Sequence, residues 1–517
     1  IVFGDWSSDV CSSDLLIALA FALIYVYLFL EQQAGVNVLL FSVMVCGVLL
    51  YYRRLNLQRN IHRLITAGVI LSAVMTALYG DGASLFVNII SLIAMAGVAA
   101  YPDIKIPLNV GLASASAFFS GPFHAFRHLL SPGESQSRKG KWLRKISLFL
   151  IPLLLLLIFI LLYSASSPYF NRLTGNVLQQ FTNLITYLET WISPLAFWLF
   201  VQALFVFAVF VFGTYKKSMN IFSENGTDVL LRSRRSFSGR FTALKFEMQS
   251  GVILLLMLNL VLLVMNVLDI YHVWLFFEWD GGYLKQFVHE GTWLLIFSIL
   301  ISIGIVVWLF RGNLNFYSRN KRLVQLSVIW LAQNALLVIS VAIRNFWYIY
   351  YYNLAFKRIW VMAFLVLVLF GIFKVIIKLR QKKSMQYLLV RNSIAAYVIL
   401  LVISLFNWDM VIARYNVKHS DRAFFHTNFM MWLDSSTLPV LHLSDEQLKV
   451  IDSISNNNYP DYRYHVSTAD FRSEINSRSR KFVTGYPALE WQGWNVSDAV
   501  TYRRLKALDE KNSSGNN

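Results

Sequence analysis

The chain has 517 residues, of which 57% are hydrophobic, 15% aromatic and only 14% charged, and its formal charge is +18. A soluble chain of this length needs far more charge to cover its surface, so the composition excludes an ordinary water-soluble globular protein. The basic excess lies in loops between apolar runs rather than on one folded face, which excludes a nucleic-acid partner.

Asp5-Trp6-Ser7-Ser8-Asp9-Val10-Cys11-Ser12-Ser13-Asp14-Leu15 resembles the translation of a common sequencing adapter, so residues 1–15 are set aside from the fold. That leaves Cys46, inside an apolar run, which gives neither a disulfide nor a zinc set. Eleven apolar runs follow, at 16–30, 36–51, 64–78, 85–100, 146–163, 194–212, 252–270, 293–310, 324–343, 359–377 and 393–412. Several approach the ~20 residues that carry a helix across ~30 Å of hydrocarbon. Backbone groups in lipid must bond internally, and no period-2 alternation points to a barrel, so the runs predict helices. The expected fold is an all-α polytopic membrane protein with about eleven transmembrane helices at 16–412. A small, mainly helical C-terminal extramembrane domain at 413–517 completes it.

Charge orients the bundle. Basic residues gather in the loops with Arg53/Arg54/Arg59/Arg63, Arg138/Lys139/Lys141/Arg144/Lys145, Lys216/Lys217/Arg232/Arg234/Arg235/Arg240, Arg311/Arg319/Lys321/Arg322 and Lys378/Arg380/Lys382/Lys383/Arg391. These belong inside, and the alternate loops, nearly free of Lys and Arg, belong outside. The visible N-terminal end is then cytoplasmic and the tail extracytoplasmic, periplasmic if the cell is Gram-negative.

Two longer connections are not spans. Residues 108–130 are apolar but interrupted by Gly121-Pro122, which predicts an interfacial or re-entrant helix pair or a surface helix packed on the bundle. Val177, Leu178, Phe181, Leu184, Ile185 and Leu188 recur at helical spacing, as in an amphipathic helix along the outer surface. In the tail, Ser444 and Gln447 form a capping box ahead of Leu448, Val450 and Ile451. The stretch 456–460 reads as a loop. Ser497 is placed to cap a helix carrying Val500, Leu505 and Leu508, and 511–517 read as disordered.

Few residues carry chemistry. Arg344, Tyr348 and Tyr352 repeat every four residues on one helix face near the expected outer boundary, with Arg358 following. Interfacial anchoring explains such a face; contact with an anionic lipid or a ligand is the sharper reading. Asp409, with Arg414 five residues on, reads as a boundary residue paired with a neighbour. Asp269, His272, Glu278 and Asp280 make the loop after the seventh run acidic without metal-ligand spacing, and His289 follows. Asn259, Asn266, Gln333 and Asn334 are expected to bond between helices. There is no GxxxxGK, HExxH or GxSxG motif, so no catalytic, cofactor or metal residues are assigned.

The motif around Arg344 also resembles a family pattern, Arg-x3-Tyr-x3-Tyr-Gly-Leu-Thr-x2-Arg. Arg344, Tyr348, Tyr352, Leu354 and Arg358 match it, while Asn353 stands for the glycine and Ala355 for the threonine. Ser167-Pro168-Tyr169-Phe170 and Phe287-Val288-His289-Glu290-Gly291 before it, and Trp432-Leu433, Leu438-Pro439-Val440-Leu441 and Trp491-Gln492-Gly493-Trp494-Asn495-Val496-Ser497 after it, fit the pattern in chain order. The set resembles the bacterial integral membrane proteins of the domain of unknown function 4173 type, related to the 4153 type. That resemblance implies a multi-pass bacterial inner-membrane protein with no established activity. The expected function is a non-enzymatic envelope component whose external tail meets an envelope protein, with the bilayer and anionic lipid as further partners. A transporter of a small solute or lipid and a lipid-linked transferase are the alternatives.

Overall fold

The structure is a computed structural model describing residues 12–104, 107–130, 193–214, 228–230, 241–277, 281–310, 313–458 and 466–514. Among the described residues there is no β-strand; an isolated bridge joins Val229 and Lys383. The long helices, numbered within these residues, are α1 (Ser12–Phe29), α2 (Val36–Tyr51), α3 (Asn60–Tyr79), α4 (Gly82–Ala100), α5 (Pro107–Leu130) and α6 (Pro194–Phe212). After them come α7 (Phe241–Asp269), continued by a π-helical turn at Ile270–Leu275, then α8 (Gly281–Leu309), α9 (Lys321–Tyr352), α10 (Phe356–Gln381) and α11 (Met385–Ser404).

Among the described residues, seven segments are long and apolar enough to cross a membrane: α3, α4, α6, Glu247–Leu275, α9, α10 and α11. Leu16–Phe29, Val36–Tyr51 and Leu294–Leu309 are apolar but shorter. The expected runs 146–163 and 177–188 lie outside the described residues. Ile253, Met257, Leu260, Val261 and Val264 on α7 are each more than half exposed. Such a face is untenable in water and ordinary against lipid.

Two apolar cores build the bundle. One joins α1 to α6 around Val45, Leu49, Met95 and Phe207; the other joins α7 to α11 around Leu255, Leu331, Val338 and Ile372. The last span, α11, bridges them: Tyr397 fills the space left by Gly68 on α3 and donates to Ser91 Oγ on α4 at 2.9 Å. Some polar groups inside the bundle bond across helices, a favourable arrangement in hydrocarbon. Asn88 Nδ2 reaches Val69 O at 3.1 Å, and Ser72 Oγ and Ser42 Oγ at 3.2 Å each.

One element differs from the sequence reading, and another takes one of the two forms expected of it. The last span is Met385–Ser404 rather than 393–412. Ser384 caps its start, and Asn407 caps a new helix, α12 (Trp408–Lys418), by accepting from Met410 N at 3.0 Å. The side-chain caps at both ends override the apolar run, which continues across the break. Meanwhile α5 is one helix, with Pro122 inside it. Gly121 does not break it; its missing Cβ lets the backbone approach α6 at Ala208 and Val209. Gly97 on α4 admits α5 in the same way at Val110 and Ser114. So α5 packs on the bundle, from the C-terminal part of α4 to that of α6.

Beyond Asn407 the chain forms α12, α13 (Thr427–Met431), α14 (Leu438–Leu441), α15 (Asp445–Asn458), α16 (Thr468–Gly485) and α17 (Val496–Ser514). Phe425, Met430, Leu438, Ile451, Phe471, Ile475 and Leu505 form their core, against which Leu354, Phe356 and Ile359 of the bundle pack. The Ser444–Gln447 capping box forms, with bonds of 3.0 and 3.3 Å. The cap of α17 is Asn495, whose Oδ1 accepts from Asp498 N at 2.8 Å. Ser497 instead accepts from Asn407. Asn456–Asn458, read as loop, end α15, and α17 runs on to Ser514.

Candidate functional site

Helices α7 and α9 are zipped by polar side chains. Gln333 Nε2 donates to Asn259 Oδ1 at 2.8 Å, and Asn266 Nδ2 donates to Gln333 O at 3.2 Å. Asn334 bonds within its own helix, to Trp330 O. One turn beyond, Asp269 accepts from Ser340 Oγ at 2.7 Å and forms an ion pair with the Arg344 guanidinium. Both side chains are about 95% buried. Paired charge is the form in which ionised groups are tolerated inside a membrane protein.

Asp269 is also where α7 widens into its π turn, in which Phe276 N donates to Tyr271 O at 3.0 Å. π segments often mark functional positions in helices. Trp347 clasps this turn, donating Nε1–H to Val273 O at 3.0 Å and stacking on Phe277 with centroids 4.9 Å apart.

The Arg344 face therefore turns inward. Tyr348 and Tyr352 are buried, with ring centroids 4.9 Å apart. Arg358 places its guanidinium 4.2 Å from the Tyr348 centroid and donates to Tyr352 O at 2.7 Å, closing the α9–α10 turn. Phe346, 55% exposed, and Lys357 are the residues of this motif that face out. Asn353 in the turn has φ 64 and ψ −176, a region that favours glycine, and its Nδ2 donates to Phe424 O. Here asparagine holds that conformation with a side-chain bond into the tail.

The other expected polar residues separate. Asp409 lies on α12 and accepts from Asp434 N at 3.1 Å; Arg414 is exposed, and no ion pair joins the two. His272 is in the π turn, its ring edge against Tyr271. Glu278, Asp280 and the His289 side chain lie outside the described residues. Among the described residues no three His, Cys, Asp or Glu side chains are grouped to hold a metal.

Sequence reasoning missed a set of carboxylates where the tail meets the bundle. Asp81 caps α4 through Ser84, Asp409 and Asp434 share the bond just given, and Asp498 accepts from Asn495 and from Gln33 at 2.9 Å. Burial raises the Asp409 carboxyl to about 6, with Asp434 and Asp81 adding to it. Burial and Asp434 likewise raise Asp81 and Asp498. The four lie far apart in sequence, so no local spacing signals them.

With seven such spans and lipid-compatible faces among its described residues, which form helices and no strand, the chain is a polytopic membrane protein. It belongs to the family described as Domain of unknown function (DUF4153), whose profile matches residues 38–444. The match is to the 4153 type and does not support the 4173 designation. No curated protein and no solved structure matches the chain.

Proposed function

We propose that the protein is a non-enzymatic component of the bacterial cytoplasmic membrane, whose bundle presents the tail on the extracytoplasmic side to a partner in the envelope. One observation carries this reading: basic turns and tail occupy opposite ends of the bundle. At one end, Arg54 donates to Val211 O, Lys378 donates to Phe310 O at the end of α8, and Arg59 pairs with Asp103. At the other end, the α1–α2 turn meets Trp494 and Asp498. The α3–α4 turn meets Asn495 there, and the α9–α10 turn meets Asn416 and Phe424. Basic loops stay inside, so the tail is outside.

Single cysteines test this in a variant whose Cys11 and Cys46 are serine. An impermeant maleimide added to intact, outer-membrane-permeabilised cells should label Ser473→Cys and spare Gln58→Cys until lysis; both positions are exposed. Ser455 is buried and unsuitable. Labelling of Gln58→Cys alone before lysis would invert the topology and defeat the proposal.

A further inference from the structure

A cleft of about 960 Å³ opens between the tail and the α1–α2 turn. Gln33 lies on the bundle side; α13, α16 and the turn at Tyr486 supply most of the rest, with Asp498 of α17. Its size is at the upper end of small-molecule sites. It is not an apolar groove, since Trp432, Tyr486 and Phe482 alternate around it with Asn428, Glu474, Ser477 and Lys481.

Trp432 is 82% exposed, the most exposed of the large hydrophobic side chains among the described residues. Yet its indole is held: Nε1–H donates to Asn428 Oδ1 at 3.1 Å. With its polar edge satisfied, the ring offers a flat apolar face and no further hydrogen bond. Tyr486, which also lines the cleft, is backed by Tyr502, with centroids 4.7 Å apart and planes 23° from parallel.

The charges of the cleft decide what it can hold. Arg478 donates to Met431 O, and to Leu433 O at 2.9 Å, so its guanidinium is engaged with backbone. Asp470 is tied to Ser467 at the start of α16, and Asp498 to Asn495 and Gln33. Glu474 and Lys481 remain, both exposed, one acid and one base about two turns apart on α16. A phosphate or nucleic-acid site needs converging cations, and this lining sets three acids against two bases. A fixed aromatic face ringed by hydroxyl, amide and carboxylate groups suits a ligand with a flat C–H face and a rim of hydroxyls. A pyranose ring has both.

We propose that this cleft binds a neutral, hydroxyl-rich glycan chain, one sugar ring lying on the Trp432 indole and its hydroxyls bonding to Glu474 and Ser477. The cleft faces the envelope if the tail is outside, and the inference rests on that placement for its setting but not for its chemistry.

The test uses the full chain in lipid nanodiscs, free of maltoside or glucoside detergent, with chitotetraose, cellotetraose and maltotetraose as probes. Saturation-transfer NMR and calorimetry should show at least one of them binding with micromolar to millimolar affinity. Trp432→Ala should weaken that binding by about tenfold, the loss of one aromatic contact of ~1.4 kcal/mol. Trp432→Phe should retain most of it, and Glu474→Gln should weaken it severalfold. Because Trp432 is largely exposed, these variants should keep the parent melting temperature. Absence of binding by all three probes, or equal binding by wild type and Trp432→Ala, would overturn the proposal. So would displacement of the bound glycan by inorganic phosphate. The cysteine-labelling result is read separately, so a failure of topology and a failure of glycan binding remain distinct.

Discussion

At the scale of single residues, Arg344 shows how the same side chain supports two opposite readings. Its spacing with Tyr348 and Tyr352 was visible in the sequence as a shared face, and they do share one. The direction of that face was not visible, because Asp269, the group that fixes it, lies 75 positions away. Aromatic residues near a helix end serve equally for a lipid belt and for a buried cradle. The pair makes a sharp expectation. Arg344→Gln leaves Asp269 buried without its cation and should cost about 3–5 kcal/mol, whereas adding Asp269→Asn to it should recover a large part of that loss. Thermal unfolding of the two singles and the double in one detergent measures the coupling. Additive losses would show that the pair is not the constraint described.

Among elements, the apolar runs were legible because lipid demands them, and their ends were not. A run at 393–412 is continuous in hydropathy, yet the helix stops at Ser404 because Asn407 opens the next one. The capping box at Ser444 was readable because its two residues are three apart; the Asn407–Ser497 contact that draws Ser497 away from capping α17 was not, at 90 positions. Gly121 is the instructive case. Beside a proline it reads as a helix break, but a Cβ there would meet Ala208 O and Val209 Cα at 2.6 Å. Its role is close packing between helices. Gly121→Ala should therefore destabilise by about 1–3 kcal/mol through forced separation of α5 from α6. Gly111→Ala, on the same helix with open space around it, should be neutral or stabilising by up to ~1 kcal/mol. A reversed order of the two in melting temperature would mean that α5 does not lie against α6.

For the whole molecule, the junction between bundle and tail decides how the two halves stay together, and its apolar and polar parts work against each other. Leu354, Phe356 and Ile359 are covered by the tail's core, which favours docking. Asp81, Asp409, Asp434 and Asp498 meet at the same junction, and among the described residues no Lys, Arg or His moderates the shifts of Asp81, Asp409 or Asp498. The Asp409 carboxyl titrates near 6 in the folded protein against a reference value of 3.8. Between those values the folded state holds more protons than the unfolded one, so stability falls as pH rises through that window. The cost is absent below the reference value and complete above 6, where it reaches up to about 3 kcal/mol. Raised values at Asp81 and Asp498 act with the same sign. Asn can still accept the Asp434 N–H, so Asp409→Asn removes the charge and keeps the bond. The variant should melt higher than the parent at pH ~8, and the difference should vanish toward pH ~4. Melting curves across that range read the slope directly. A variant less stable than the parent at high pH would mean that Asp409 is held there by a favourable partner, and the junction would then be stabilised by its charge.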